Sequence, residues 1–331
     1  MPDSWEVGRY SIEVEPGNGR PRVARESLYA QGMMFDSDPP DNPLAQDAPQ
    51  QIAIRIRPGG SYRRGHVERF AESRPVLTQI EDRLEGRQDA KAAMVREWAR
   101  STIATLSSMR FLDLEPDAMR LPSLPGQTTL GDRGENLSSV LQAIYEDERQ
   151  QQALIAWIRE LSPMDVVALE FPADQTGRVL LSLVETGGRR ISAYSASGGT
   201  LRFLAMLAAL LGPEPAGLYF IEELENGLHP ARLHLLLDLI ESRVKEGALQ
   251  VVVTTHSPQL LRLLSPASRD NAVLVYRLQG EAAAQLKAIR ELPAEAREVV
   301  GRKDVGELFQ AGWFENVMSF LQDEQTPAEG E

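Results

Sequence analysis

Glu222 and Glu223 stand side by side where a short apolar run, residues 217–221, gives way to polar sequence. His256 holds a similar place after a second run, 251–253, and the intervening Thr254 and Thr255. A third stretch, Ser195-Ala196-Ser197-Gly198-Gly199-Thr200-Leu201-Arg202, is a small-residue turn that feeds the apolar segment 203–211. Where a helix begins, its free amides and positive end form an anion site, and glycines let the backbone approach closely because no Cβ intervenes. Each feature also has a plain reading: an N-cap and turn, a solvated acidic loop, a satisfied strand-end histidine. Glu222, Glu223, Glu225 and His229 imitate a carboxylate–histidine metal site, but Pro230 follows directly and no second histidine stands nearby.

These residues need a frame. The two apolar runs read as short buried strands that deliver polar side chains at their carboxyl ends, where open α/β sheets receive ligands. After residue 197 helix and strand textures alternate, which marks a largely parallel sheet. Leu233, Leu236, Leu237, Ile240 and Val244 line one face of a helix that starts near Pro230, a suitable first-turn proline. Residues 272–276 read as a further strand and 305–309 as a short helix. Upstream, 10–15 alternates with period two, 16–21 is turn chemistry, and 23–28 is the return strand of a hairpin. Residues 36–50 read as a loop, and 51–57 as another alternating strand. From 76 to 161 the texture is helical, with Ala92, Val95, Trp98, Ala99 and Ile103 at helical spacing, then Leu137, Val140, Leu141 and Ile144, then Leu154, Ile155 and Ile158. The link 112–136, with Pro116, Pro122 and Pro125, reads as irregular. Strand texture returns at 166–171, 179–184 and 190–193.

In this order and spacing the stretches resemble the ATP-binding-cassette class of P-loop ATPases, and within it the bacterial AAA-type ATPases related to RecF, SMC and OLD proteins. Residues 197–202 are similar to that family's signature motif and 218–223 to Walker B. Asn226-Gly227-Leu228-His229-Pro230 is similar to the D-loop, and His256 in Thr-Thr-His-Ser-Pro to the switch histidine. The resemblance implies an α/β fold: the second lobe of a P-loop NTPase head with a mainly parallel sheet, preceded by an antiparallel β portion and a helical insertion. It divides the chain into 1–75, an antiparallel remnant of the first ATPase lobe; 76–165, a helical arm or lid; 166–320, the ATPase lobe with its motifs; and 321–331, a disordered tail. It further implies ATP and Mg2+ as ligands. Glu222 would hold the magnesium, Glu223 would polarise the attacking water, and His256 would contact the γ-phosphate. Ser197, Gly198 and Gly199 would grip the γ-phosphate of ATP bound to another protomer, with Asn226 and His229 beside them, so hydrolysis would need a dimer of heads. A role as an ATP-driven switch in DNA repair or anti-phage defence follows as the expectation.

One element of that pattern is absent from this sequence. A P-loop needs Gly-x-x-x-x-Gly-Lys followed by Ser or Thr. The chain's lysines are Lys91, Lys245, Lys287 and Lys303, and none follows a glycine. Residues 16–21 are the nearest imitation, without the lysine and with Pro21 removing an amide. Either the sequence is a truncated form of an ordinary ATPase, or it is a split or degenerate subunit that completes a partner's ATP site or scaffolds a partner effector such as a nuclease. On either reading the chain by itself would bind ATP poorly, and homodimers or hetero-oligomers with a Walker A-bearing subunit are its expected assemblies.

Composition sets the outer limits. A chain of 331 residues can bury a sizeable core. It has no cysteine, hence no disulfide framework; no apolar run is long enough for a membrane span, and the opening Met-Pro-Asp-Ser-Trp-Glu does not read as a signal peptide. A soluble cytoplasmic protein is the expectation. The net charge of -13 argues against a whole surface that binds nucleic acid, while residues 54–74, with Arg55, Arg57, Arg63, Arg64, Arg69 and Arg74, could contact DNA locally. A charged strand edge that discourages aggregation is the simpler reading of that stretch.

Overall fold

The computed structural model of the protein describes residues 8–17, 19–30, 32–37, 50–56, 66–87, 89–161, 165–228, 230–247, 249–278 and 283–325. The chain forms two compact units, Met1–Ser108 and Met109–Glu331.

The first unit is an antiparallel meander of five strands in sequence order: β1 (Arg9–Pro16), β2 (Pro21–Tyr29), β3 (Met33–Ser37), β4 (Gln51–Ile56) and β5 (His66–Ala71). The expected hairpin is there, with Tyr10 opposite Leu28 and a register shift between Glu13 and Val14. Alternation in β4 sends Ile52, Ile54 and Ile56 inward, onto Leu28, Phe35 and Phe70. A 3-10 turn (Val76–Thr78), α1 (Ile80–Leu84) and α2 (Ala90–Ser107) supply the rest of this core through Val76, Leu77, Ile80, Leu84, Ala92, Val95 and Ala99. Asp89 caps α2 by accepting the amides of Lys91 and Ala92. Among the described residues of the unit one carboxylate is buried, Glu26, only 1% exposed. It accepts the amides of Val76 at 2.6 Å and Leu77 at 2.7 Å and the Tyr10 hydroxyl at 3.0 Å, so it closes the open end of the 3-10 turn.

The second unit opens with β6 (Met109–Leu112), followed by α3 (Pro116–Met119), α4 (Leu137–Glu146) and α5 (Glu148–Leu161). An antiparallel sheet of β7 (Val166–Glu170), β8 (Ser182–Glu185) and β9 (Arg190–Ser192) follows, then α6 (Gly198–Leu211), β10 (Leu218–Ile221), α7 (Pro230–Lys245) and β11 (Gln250–Val253). Last come α8 (Pro258–Leu263), α9 (Pro266–Asp270), β12 (Val273–Tyr276), β13 (Gln285–Ala288), α10 (Ala294–Arg302), α11 (Val305–Gln310) and α12 (Trp313–Gln325).

The parallel sheet has the order β11-β10-β6, with Phe220 opposite Val252 on one side and Phe111 on the other. Its first strand corrects the sequence reading, which carried helical texture across residues 109–111 and began an irregular link at 112. Four residues are too few for a period to show, and their strand state is set by pairing with β10. Two further differences follow. The strands of 166–193 form their own antiparallel sheet, and α12 runs to Gln325, into the stretch expected to be a frayed tail. Residues 326–331 lie outside the described residues.

The helix α6 is buried nearly all round, from Leu201 through the run Phe203–Leu210, as expected of a helix inside a domain rather than on its surface. Burying each of its large side chains stabilises by about 1.5–3 kcal/mol. It packs against α3, α4 and α5 and shares one core with the buried face of the parallel sheet, where Leu112, Tyr219 and Ile221 lie. Tyr219 brings a hydroxyl into that core and satisfies it twice, donating to the Ala209 carbonyl at 2.7 Å and accepting the Ala216 amide at 2.9 Å. The other face is open: Phe111 is 60% and Val252 47% exposed, and Phe111 stacks on Phe220 at 4.4 Å between ring centres. A separate cluster, including Leu278, Ile289, Val300, Val305, Leu308, Phe314 and Met318, holds the C-terminal elements together. No helix among the described residues is long and apolar enough to cross a membrane.

Candidate functional site

The three chemistry-bearing stretches meet around the carboxyl ends of β10 and β11. The main-chain ladder stops at Ile221 opposite Val253, with one further bond from the Thr254 amide to the Ile221 carbonyl at 3.0 Å. Beyond it the loop after β10 turns sharply, because Glu223 has φ 46°, a left-handed conformation rare for a residue with a side chain. Contacts to the end of β11 hold it there. The Glu223 amide donates to the Thr254 hydroxyl at 3.1 Å, and the Leu224 amide to the Thr254 carbonyl at 3.4 Å. Leu224, 1% exposed, anchors the turn in the core and leaves Glu222 and Glu223 facing solvent.

Asn226 closes the same turn. Its amide donates to the Glu223 carbonyl at 2.7 Å, and its side-chain nitrogen lies 3.4 Å from Glu223 Oε2. Glu225, between them, reaches across to the other strand end, where it accepts the Thr255 hydroxyl at 2.8 Å and the His256 amide at 3.1 Å. His256 itself is exposed. Ser257 follows as the N-cap of α8, its hydroxyl accepting the Leu260 amide at 3.3 Å.

Ser197 is the N-cap of α6: its hydroxyl accepts the Thr200 amide at 3.1 Å and lies 2.8 Å from the Thr200 hydroxyl. First-turn amides have no acceptor within their own helix, so those of Gly198 and Gly199 remain for an outside group. The two glycines are not equivalent. A Cβ on Gly199 would collide with the Gly227 carbonyl oxygen, whereas one on Gly198 would meet only the Pro116 ring at 3.2 Å. The signature-like turn and the loop carrying Asn226 therefore touch, and Gly227 meets the need for close approach with φ 76°. Arg202 braces the contact by donating to the Leu114 carbonyl at 3.1 Å.

Of the residues singled out in the sequence, Glu222, Glu223, Asn226 and His256 thus share one constellation, with Ser197, Gly198 and Gly199 joined to it through Gly227. His229 lies outside the described residues, as do Arg57, Arg63 and Arg64 of the basic stretch. Sequence reasoning passed over Thr254 and Thr255, which lace the two loops, and gave Glu225 a place only in a metal site it rejected. The available signal was a pair of hydroxyl side chains directly before the histidine. Among the described residues no group of three or more His, Asp or Glu side chains is arranged to hold a metal ion. Magnesium is commonly held by one or two carboxylates, with waters and phosphate oxygens completing its shell, so the exposed Glu222–Glu223 pair fits a Mg2+ ion that arrives with a nucleotide better than a bare ion.

A 76-residue stretch is 37% identical to the ATP/GTP phosphatase of Helicobacter pylori, and it spans 22% of this chain and 20% of that protein's length. Among solved structures, an SMC head bound to the C-terminal winged-helix domain of ScpA covers 81% of this chain and 76% of its own at 12% identity and a TM-score of 0.40. The SMC head domain from Thermotoga maritima covers 80% and 74% at 13% identity and a TM-score of 0.31. These are loose likenesses. The family described as "AAA domain, putative AbiEii toxin, Type IV TA system" matches residues 9–262. That match spans well over half of the chain, and the protein belongs to this AAA-domain family.

Proposed function

We propose that the protein is a cytoplasmic ATP-binding and ATP-hydrolysing head that works as a dimeric switch, in DNA repair or anti-phage defence. The observation that carries the reading is the joining of Glu223 and His256 through one hydrogen-bonded pair of strand ends. In this reading the Glu223 carboxylate orients and polarises the attacking water, and Glu222 holds Mg2+ directly or through a water. Bound Mg2+ would supply charge neutralisation at the phosphates. His256 contacts the terminal phosphate, while Ser197 and the amides of Gly198 and Gly199 grip the phosphate of a nucleotide held by the other protomer. Asn226 keeps the Glu223 carboxylate in place, with His229 assigned to the same nucleotide contact. Arg55, Arg69 and Arg74 are the described part of a stretch that could meet DNA phosphates.

A second reading rests on a sequence fact: no lysine of the chain follows a glycine, so no phosphate-cradling Walker A motif occurs within these residues. The chain then acts as a non-catalytic subunit that completes a partner's ATP site or scaffolds a partner effector such as a nuclease. ATP binding and turnover by the chain, beside the longest in-frame reading frame containing it, each with a Glu223→Gln control, separates the two. Turnover by the longer protein that Glu223→Gln abolishes supports the first. Inactivity of both, with binding to a Walker A-bearing neighbour, supports the second.

A further inference from the structure

We propose that Glu225 is a positioning residue that couples the loop of the acidic pair to His256; the proposal rests on the nucleotide-hydrolysing reading of this site. Three consecutive residues of one loop, Glu223, Leu224 and Glu225, bond to three consecutive residues of the other, Thr254, Thr255 and His256. The first two bonds come from the backbone of the loop after β10. The left-handed turn at Glu223 takes that backbone away from β11, and from there the Glu225 side chain carries the connection. Its Oε2 accepts the Thr255 hydroxyl and its Oε1 the His256 amide, so one carboxylate spends both oxygens on adjacent residues of the facing strand end. Such charge-assisted bonds are the stronger kind, and Glu225 is only partly exposed, which limits competition from water.

Two features make this more than loop packing. The Thr255 oxygen bound to Glu225 also accepts the Ser257 amide at 3.0 Å, so the carboxylate fixes the peptide on both sides of His256. Further along the same loop, Gly227 presses on Gly199 at the start of α6. A continuous set of contacts thus runs from the signature-like turn through Gly227 and Glu225 to His256. Movement of that turn on a phosphate would be passed to the histidine through Glu225. A chain one methylene shorter, as in Glu225→Asp, would not reach both partners.

The test uses the full chain labelled with 13C at histidine Cε1, with the His256 resonance assigned by its loss in His256→Gln. Wild type, Glu225→Ala and Glu225→Gln are compared at one pH, together with amide exchange of the peptide spanning 254–258. Glu225→Ala is expected to move the His256 resonance, leave that of His234 in place, and raise exchange about tenfold through the lost acceptor. Glu225→Gln keeps one acceptor oxygen at the same reach, with an NH2 in place of the second, and is expected to bring the resonance part of the way back and to hold exchange below that of Glu225→Ala. A His256 resonance unmoved in Glu225→Ala, or a Gln variant as disruptive as the Ala variant, overturns the proposal. Should Glu225→Ala not fold, Glu225→Asp decides on the same reading, since its shorter side chain leaves Thr255 and its bond to Ser257 in place while failing to reach both partners. In a form that turns over ATP, Glu225→Ala is expected to lower kcat about tenfold with KM within about threefold, and an unchanged kcat overturns the coupling. If no form turns over ATP, the ATPase reading fails while the resonance and exchange comparison still decides the role of Glu225.

Discussion

The amide of Glu223 donates to the hydroxyl of Thr254 at 3.1 Å, and this bond helps to hold a glutamate at φ 46°. The left-handed conformation costs a residue with a Cβ about 1–2 kcal/mol, so the loop needs compensation from its neighbour. Thr254→Val keeps the branched shape and removes the acceptor. It is expected to destabilise the second unit by about 1 kcal/mol, with Thr254→Ser close to wild type, in a denaturant melt.

Strain and chemistry meet at the same residue. Glu223→Gly relieves the backbone and is expected to raise stability by about 1 kcal/mol while abolishing any ATP turnover. Glu223→Gln keeps the strain, melts within about 0.5 kcal/mol of wild type, and loses turnover as well. Paired melting and turnover assays read both effects. A Gly variant less stable than wild type would show that the side chain, through Asn226, is worth more than the strain.

The two signature glycines should respond differently to a methyl group. Gly199→Ala drives a Cβ into the Gly227 carbonyl, backbone against backbone, and is expected to cost about 1–3 kcal/mol. Gly198→Ala meets only the edge of Pro116 at 3.2 Å and is expected to cost less than about 1 kcal/mol. Thermal unfolding of the two variants side by side is the check.

Glu26 gives the first unit a signature in pH. Burial pushes its carboxyl above the ordinary range, against the amides of Leu77 and Val76 and the Tyr10 hydroxyl, which pull it down. An acid raised on folding binds its proton more tightly in the folded protein. Its stabilisation is complete below the unfolded value and fades as pH rises through the folded one. Wild type is therefore expected to gain stability relative to Glu26→Gln as pH falls from neutral toward the usual glutamate value near about 4.3. Glu26→Ala leaves two amides without their acceptor and is expected to cost about 2–4 kcal/mol, followed by circular dichroism melts at each pH.

Legibility in the sequence followed the range of the interactions. The β1–β2 hairpin could be read because alternation and a proline–glycine turn are local, and the cap of α6 because serine stands directly before the helix. The acidic pair and His256 could be read as strand-end residues, since short apolar runs announce them. Strand β6 could not, because Met109-Arg110-Phe111-Leu112 resembles one turn of helix until Leu218 to Ile221 lies alongside it. Nor could the parts played by Glu225 and Glu26. Glu225 binds residues thirty positions away and Glu26 residues fifty away, and neither pairing leaves a trace in spacing.

The pairing of Met109 with Leu218 also sets a timetable for synthesis. About a hundred residues separate β6 from the strand it pairs with, and at 5–20 residues per second they take roughly 5–20 s to emerge from a ribosome. The described strands β1 to β5 each pair with sequence neighbours, so that sheet can form before β10 is made. Phe111 and Leu112 come next and must wait, apolar and unpaired, for β10. That interval is the period in which the nascent chain most needs a chaperone. Slow translation between α4 and β9 would lengthen it, and a burst of aggregation under such conditions would begin at β6.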